Sequence, residues 1–209
     1  MTSSLASLAS VTLEVADTEA AESFYTAFGL GGRVRLRASQ EPTAGFRGFA
    51  LSLTVAQPAD VNAFLDAALA AGATELKPGK KSFWGYSGVV QAPDGTVLKV
   101  ATSAKKDTGP ATRAIGHLVL LLGADEVSAS KKFYVGQGLA VAKSFGGKYV
   151  EFATGPDAVT LALYPRRALA KDVGLPVEGT GSHRIAFTGP AGPFTDPDGF
   201  TWESAAPAL

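Results

Sequence analysis

Apolar and polar residues alternate from Val11 to Ala16. Val11, Leu13 and Val15 fall on one side and Thr12 and Glu14 on the other, which predicts a half-buried strand. Asp17 or Thr18 can cap a following helix, in which Ala20, Ala21, Phe24 and Phe28 recur at helical spacing until Gly29, Gly31 and Gly32 end it. Val34 to Ala38 alternates again as a strand, and so does Phe49 to Val55. Pro58 and Asp60 open an amphipathic helix carrying Val61, Phe64, Leu65, Ala68 and Leu69, and Gly72 stops it. Short strands are expected at Glu75 to Lys77, Tyr86 to Gln91 and Val97 to Ala101. Pro93-Asp94-Gly95 makes the turn between the last two, because proline presets one backbone angle and glycine supplies the positive one.

A polar stretch from Ser103 to Arg113, with Gly109-Pro110, reads as a connection. It divides the chain into residues 1–104, a linker 105–113 and residues 114–209. The second part restarts the pattern. Leu118 to Leu122 is an apolar strand and Ser128 to Val135 a helix. Ala140 to Ser144, Lys148 to Ala153 and Val159 to Tyr164 are strands. A long connection from Pro165 to Gly181 has room for a short helix at Arg167 to Asp172. Arg184 to Phe187 and Phe200 to Glu203 are the last strands. Two landmarks recur in the same order at similar spacing. Phe24-Tyr25 with Gly29-Leu30 returns as Phe133-Tyr134 with Gly138-Leu139, and Pro93-Asp94-Gly95 returns as Pro197-Asp198-Gly199. Such self-similarity marks a duplicated folding unit. Each copy is trimmed in a different place: before Phe49 in the first, and between Phe187 and Asp196 in the second.

A strand, a helix ending in Phe-Tyr, Gly-Leu, then a late Pro-Asp-Gly hairpin resembles the glyoxalase/bleomycin-resistance/extradiol-dioxygenase group, the vicinal oxygen chelate superfamily. The resemblance implies an α+β fold of tandem βαβββ modules in two halves, whose mixed sheets curl into cups around a small ligand. It also implies a divalent ion held by side chains on the first and last strands of modules. In the first half the matching positions are Ser10 and Lys99, poor ligands both, so no ion is expected there. In the second half they are His117 and Glu203. The chain's other histidine, His183, begins the last module; a different register puts Arg184 in its place, where a guanidinium suits an anionic ligand. Two histidines and a carboxylate suit Fe, Mn, Ni or Zn. The alternative is a strand-end role for all three and no metal. By the same resemblance Phe83, Trp84 and Tyr86 are candidates for stacking on a ligand, and Glu151 and Tyr149 for acid–base chemistry beside a metal.

Composition narrows this further. Basic and acidic residues balance at 19 each in 209 residues, which leaves no electrostatic footprint for nucleic acid or an anionic membrane. The basic clusters at Lys77, Lys80, Lys81 and at Lys105, Lys106 are short and read as solvated loops. Absence of cysteine excludes disulfides, thiolate metal sites and cysteine nucleophiles. Met1 to Ser10 does not read as a signal peptide, and no apolar run nears the roughly 18 residues of a membrane span. A cytoplasmic protein is the resulting expectation. Three functions compete: a metal-independent protein that binds an aromatic or oxygen-rich small molecule, a metal-dependent lyase, isomerase or dioxygenase, and a structural member whose cup mediates a homodimer. The first is the leading expectation.

Overall fold

In the computed structural model, which describes residues 8–155, 158–189 and 192–204, the chain opens with β1 (Ser10–Val15) and α1 (Thr18–Phe28). It continues through β2 (Arg35–Ala38), β3 (Thr43–Gly45), β4 (Phe49–Thr54), α2 (Pro58–Ala70), β5 (Thr74–Ser82), β6 (Gly85–Gln91) and β7 (Val97–Thr102). The second half runs β8 (His117–Ala124), α3 (Val127–Gly136), β9 (Val141–Ser144), β10 (Val150–Phe152), β11 (Thr160–Pro165) and α4 (Arg166–Val173). It ends with β12 (Gly179–Gly181), β13 (Ile185–Gly189), β14 (Phe194–Thr195) and β15 (Thr201–Ser204).

Local chemistry sets these boundaries. The Asp17 carboxylate accepts the backbone N–H groups of Glu19 and Ala20, capping α1, and Gly29 ends that helix in the left-handed region at φ 101°. Strands β12 and β14 form in segments expected to be connections, and two further elements also depart from the sequence expectation. Strand β5 is nine residues long rather than three, because shifts in its pairing with β6 absorb Pro78-Gly79 instead of breaking there. Strand β3 was not predicted. It pairs only with β12, where a Cβ on Gly179 would come within 2.1 Å of the Phe46 carbonyl oxygen. Glycine is required at that approach.

Strand pairing crosses the boundary between halves. An eight-stranded sheet has the order β5-β6-β7-β4-β8-β11-β10-β9, joined by the antiparallel β4–β8 pair. A five-stranded sheet has the order β14-β15-β13-β1-β2, joined by the antiparallel β1–β13 pair. The two complete βαβββ modules, β4 to β7 and β8 to β11, therefore share the larger sheet. The trimmed first and last modules share the smaller one. One core connects them, with Val11, Leu13, Phe28, Phe64, Leu120 and Trp202 among its buried members.

The duplicated landmarks turn out to touch. Tyr25 donates its hydroxyl to Asp94 Oδ2 at 2.8 Å, and Tyr134 donates to Asp196 Oδ2 at 2.5 Å. The tyrosine of each Phe-Tyr pair thus fastens the helix of one module to the hairpin of the next. The match is not literal: Asp196 precedes Pro197, while Asp198 accepts the backbone N–H of Asp125 and the Ser130 hydroxyl beside α3. The linker is anchored too. Buried Gln57 accepts hydrogen bonds from the backbone of Thr108 and Gly109, and Asp60 accepts from Thr112 N–H at 2.6 Å. Burial alone would raise the Asp60 pKa, but these hydrogen bonds outweigh it and hold the carboxyl below its ordinary value.

Candidate small-molecule site

Residues alternate across the eight-stranded sheet. Leu51, Leu53, Leu98, Leu120 and Leu161 face the helix side. On the other face, Ala50, Val89, Val97, Leu121 and Ala162 form one buried cluster with Leu169, Ala170 and Val173 of α4. The chain's own helix fills this concavity. Lys99 Nζ pairs with Asp172 at 2.5 Å, and Lys77 Nζ donates to the carbonyls of Lys171 and Asp172 at the helix end. The lysine that makes the first half unsuited to a cation therefore holds α4 in place.

The five-stranded sheet keeps an open concave face. Register puts Ser10, Thr12 and Glu14 of β1 on the same face as Arg35 and Arg37 of β2, Ala186 and Thr188 of β13, and Thr201 and Glu203 of β15. Arg37 donates to Glu14 at 2.6 Å and to Glu203 at 2.7 Å. Strands β2 and β15 are three strand spacings apart, about 14 Å if the sheet were flat. One side chain can join them only because the sheet curls. The hydrogen bonds that Arg37 donates to the Glu14 and Glu203 carboxylates raise its pKa further. Exposed pairs like these contribute roughly 0.2–1 kcal/mol each to stability, so the main effect of Arg37 is positional.

A cavity of about 300 Å³ opens at this curl, lined among others by Glu14, Arg37, Ser182, His183, Gly199 and Thr201. His183 stacks on Phe200 with ring centroids 4.1 Å apart. Its Nδ1 lies 2.6 Å from the carbonyl oxygen of Arg47. A carbonyl can only accept, so Nδ1 carries the hydrogen and Nε2 is the bare nitrogen of the neutral ring. Nε2 lies beside Gly199, where a Cβ would come within 3.2 Å of it at φ 89°. Glycine leaves that nitrogen open to the cavity. The site offers a carboxylate, a guanidinium, a hydroxyl and a ring-nitrogen acceptor within one polar hollow.

Two variant forms of glyoxalase I from Zea mays are similar in backbone fold over 95% of the chain, with TM-scores of 0.58 and 0.59, covering 92% and 93% of those proteins. The chain has the vicinal oxygen chelate fold. Sequence identity to both is 14%, so the likeness concerns fold alone. A protein described as a dioxygenase from Bacillus subtilis matches over 88% of the chain and 70% of its own length, at 12% identity and TM-score 0.53. No protein-family model matches the sequence, and no curated protein matches it.

Within this fold the expected metal ligands do not converge. His117 lies on β8 in the eight-stranded sheet, paired with Thr54 of β4, while Glu203 belongs to β15 of the five-stranded sheet and His183 lines the cavity from the segment between β12 and β13. Each half contributes strands to both sheets, so matching positions in the two halves do not share one site. Glu203 is taken by Arg37, and His183 has Nδ1 on a backbone carbonyl. Among the described residues no group of three His, Cys, Asp or Glu side chains is placed to hold an ion. The residues present do not fit the implied metal site.

The remaining candidates also lie elsewhere. Arg184 is buried, at φ 56°, and its guanidinium donates to the Ser39 carbonyl; it does not line the cavity. Between His183 and Arg184, the cavity takes the histidine. Phe83 and Trp84 are 80% and 83% exposed at the β5–β6 turn, remote in the sheet order from the cavity, and so are not its stacking platform. Tyr86 donates to Asn62 Oδ1 at 2.9 Å and packs against the helix-side core. Tyr149 donates to Glu151 at 2.6 Å, and Glu151 also pairs with Lys143 at 3.0 Å. Burial would raise the Glu151 pKa, yet these partners and the nearby His117 charge lower it. Burial and the same carboxylate raise that of Tyr149. This cluster belongs to the eight-stranded sheet, apart from His183 and Glu203. The sequence reading missed Glu14 and Arg37. Their strand parity was legible, but not the β1–β13 pairing that brings β15 into range.

Proposed function

We propose that this protein binds a small, oxygen-rich molecule on the concave face of its five-stranded sheet, with no metal ion anchoring it. The observation that carries this reading is the polar cavity on the sheet whose concavity the chain leaves open, with His183 Nε2 and Glu14 as acceptors and Arg37 as donor. Its volume of about 300 Å³ lies at the small end of the range for ligand sites and equals roughly ten water volumes. The lining is polar, and the exposed aromatics stand elsewhere, so hydroxyl and carbonyl groups suit the site better than a flat apolar ring. Glu14, Glu203 and Arg37 together leave one net negative charge, which disfavours polyanions.

Calorimetric titration with a panel of small polyols, hydroxy acids and phenols tests this. At least one compound should bind. Its affinity should fall about tenfold, some 1.4 kcal/mol, in His183→Ala and in the isosteric Thr201→Val, and change little in His117→Ala. Adding Mn(II), Ni(II) or Zn(II) should leave it unaltered. Binding that needs His117 or an added metal would sink the reading.

A further inference from the structure

Two short lysine clusters that are separate in sequence meet in space. Lys80 and Lys81 lie on β5 opposite Ser87 and Tyr86, next to the turn that carries Phe83 and Trp84. The chain leaving β7 returns to the same turn: a Cβ on Gly85 would touch Thr102 and Ser103, and Lys105 Nζ lies 5.6 Å from the centre of the Phe83 ring. Lys106 follows directly. No acidic residue stands between Leu76 and Gly85 or between Val97 and Lys106. A chain of zero net charge thus places four lysines close in the backbone to two aromatic rings that are 80% and 83% exposed, with the Lys105 ammonium against one of them.

We propose that this hairpin tip docks on an anionic phospholipid surface, with Phe83 and Trp84 entering the headgroup region and Lys80, Lys81, Lys105 and Lys106 facing the lipid charge. The size of the tip favours a bilayer over a protein. Two aromatic side chains bury roughly 400 Å² together, about half of what one partner contributes to a standard protein interface. Aromatic rings settle at the membrane–water boundary, and each nearby lysine strengthens attraction to an anionic leaflet on the order of fivefold. No helix among the described residues is long and apolar enough to cross a membrane, so the attachment is peripheral and reversible.

The test mixes the whole protein with vesicles of phosphatidylcholine, with and without about 30% phosphatidylserine, at roughly 0.1 M salt. Trp202 is buried, so a change in tryptophan emission reports on Trp84. The protein should sediment with the anionic vesicles only, with emission moving to the blue. Phe83→Ser/Trp84→Ser and Lys80→Glu/Lys81→Glu should each weaken binding at least about tenfold. Both pairs are on the surface, and circular dichroism verifies that the variants fold. Absence of a blue shift with anionic vesicles would overturn the proposal, as would equal binding by the Ser/Ser variant. So would an equal shift with soluble polyglutamate, which would point to an acidic protein instead.

Discussion

Tyr134→Phe should lower the unfolding free energy by about 2–3 kcal/mol, the scale of a buried hydrogen bond to a charged group. Tyr134 is fully buried, and its hydroxyl has two partners: it donates to Asp196 at 2.5 Å and accepts from Trp202 Nε1 at 3.3 Å. Phenylalanine fills the same space but leaves Asp196 Oδ2 and Trp202 Nε1 without this partner, while Asp196 Oδ1 keeps the backbone N–H groups of Asp198 and Phe200. The loss should depend on pH. Burial raises the Asp196 pKa above its ordinary value, against the pull of the hydrogen bond from Tyr134. A raised carboxyl pKa means that Asp196 favours folding most below its unfolded value near 3.9, and that this contribution fades as pH rises through the folded value. Removing the Tyr134 hydroxyl penalises the ionised form in particular. The deficit of the variant should therefore be largest near neutrality and shrink as pH falls through the Asp196 titration. Urea unfolding at several pH values measures this; a deficit independent of pH would mean that Asp196 does not rely on Tyr134.

Leu169→Ala should cost about 3 kcal/mol, within the range for emptying a buried leucine site. Leu169 is completely buried between α4 and the concave face of the eight-stranded sheet. Arg167→Ala, on the exposed side of the same helix, should change stability by less than about 0.5 kcal/mol. That contrast distinguishes a packed plug from a helix resting on the surface. If Leu169→Ala cost no more than Arg167→Ala, α4 would not fill the cup, and the eight-stranded sheet would regain its claim to a ligand.

Much of the fold was legible in the sequence. Alternation marked β1, β2 and β4, helical spacing marked α1 and α2, and the repeated Phe-Tyr and Pro-Asp-Gly landmarks marked modules in duplicate. Those landmarks proved to be contacts, Tyr25 with Asp94 and Tyr134 with Asp196. What escaped was pairing between distant strands. Periodicity assigns a residue to a face but not to a partner. Hence His117 and Glu203 looked like neighbours while Arg37 and Glu203 did not, although only the latter touch. The short helix after Pro165 was expected, but its destination depends on the shape of the hollow it fills. Phe83 and Trp84 resembled ligand-stacking cup residues because aromatic composition does not reveal that a nine-residue strand carries them to a turn in solvent.

His117 stands on β8 of the eight-stranded sheet and His183 lines the cavity just before β13, and this permits a direct test of where ligand binds. Imidazole NMR resonances of His183 and His117 should be recorded while a bound compound from the panel is titrated in. The ring signals of His183, with its hydrogen on Nδ1, should shift with ligand occupancy, and those of His117 should stay in place. Shifts at His117 with His183 unmoved would contradict the central claim that the open concavity of the five-stranded sheet is the binding site.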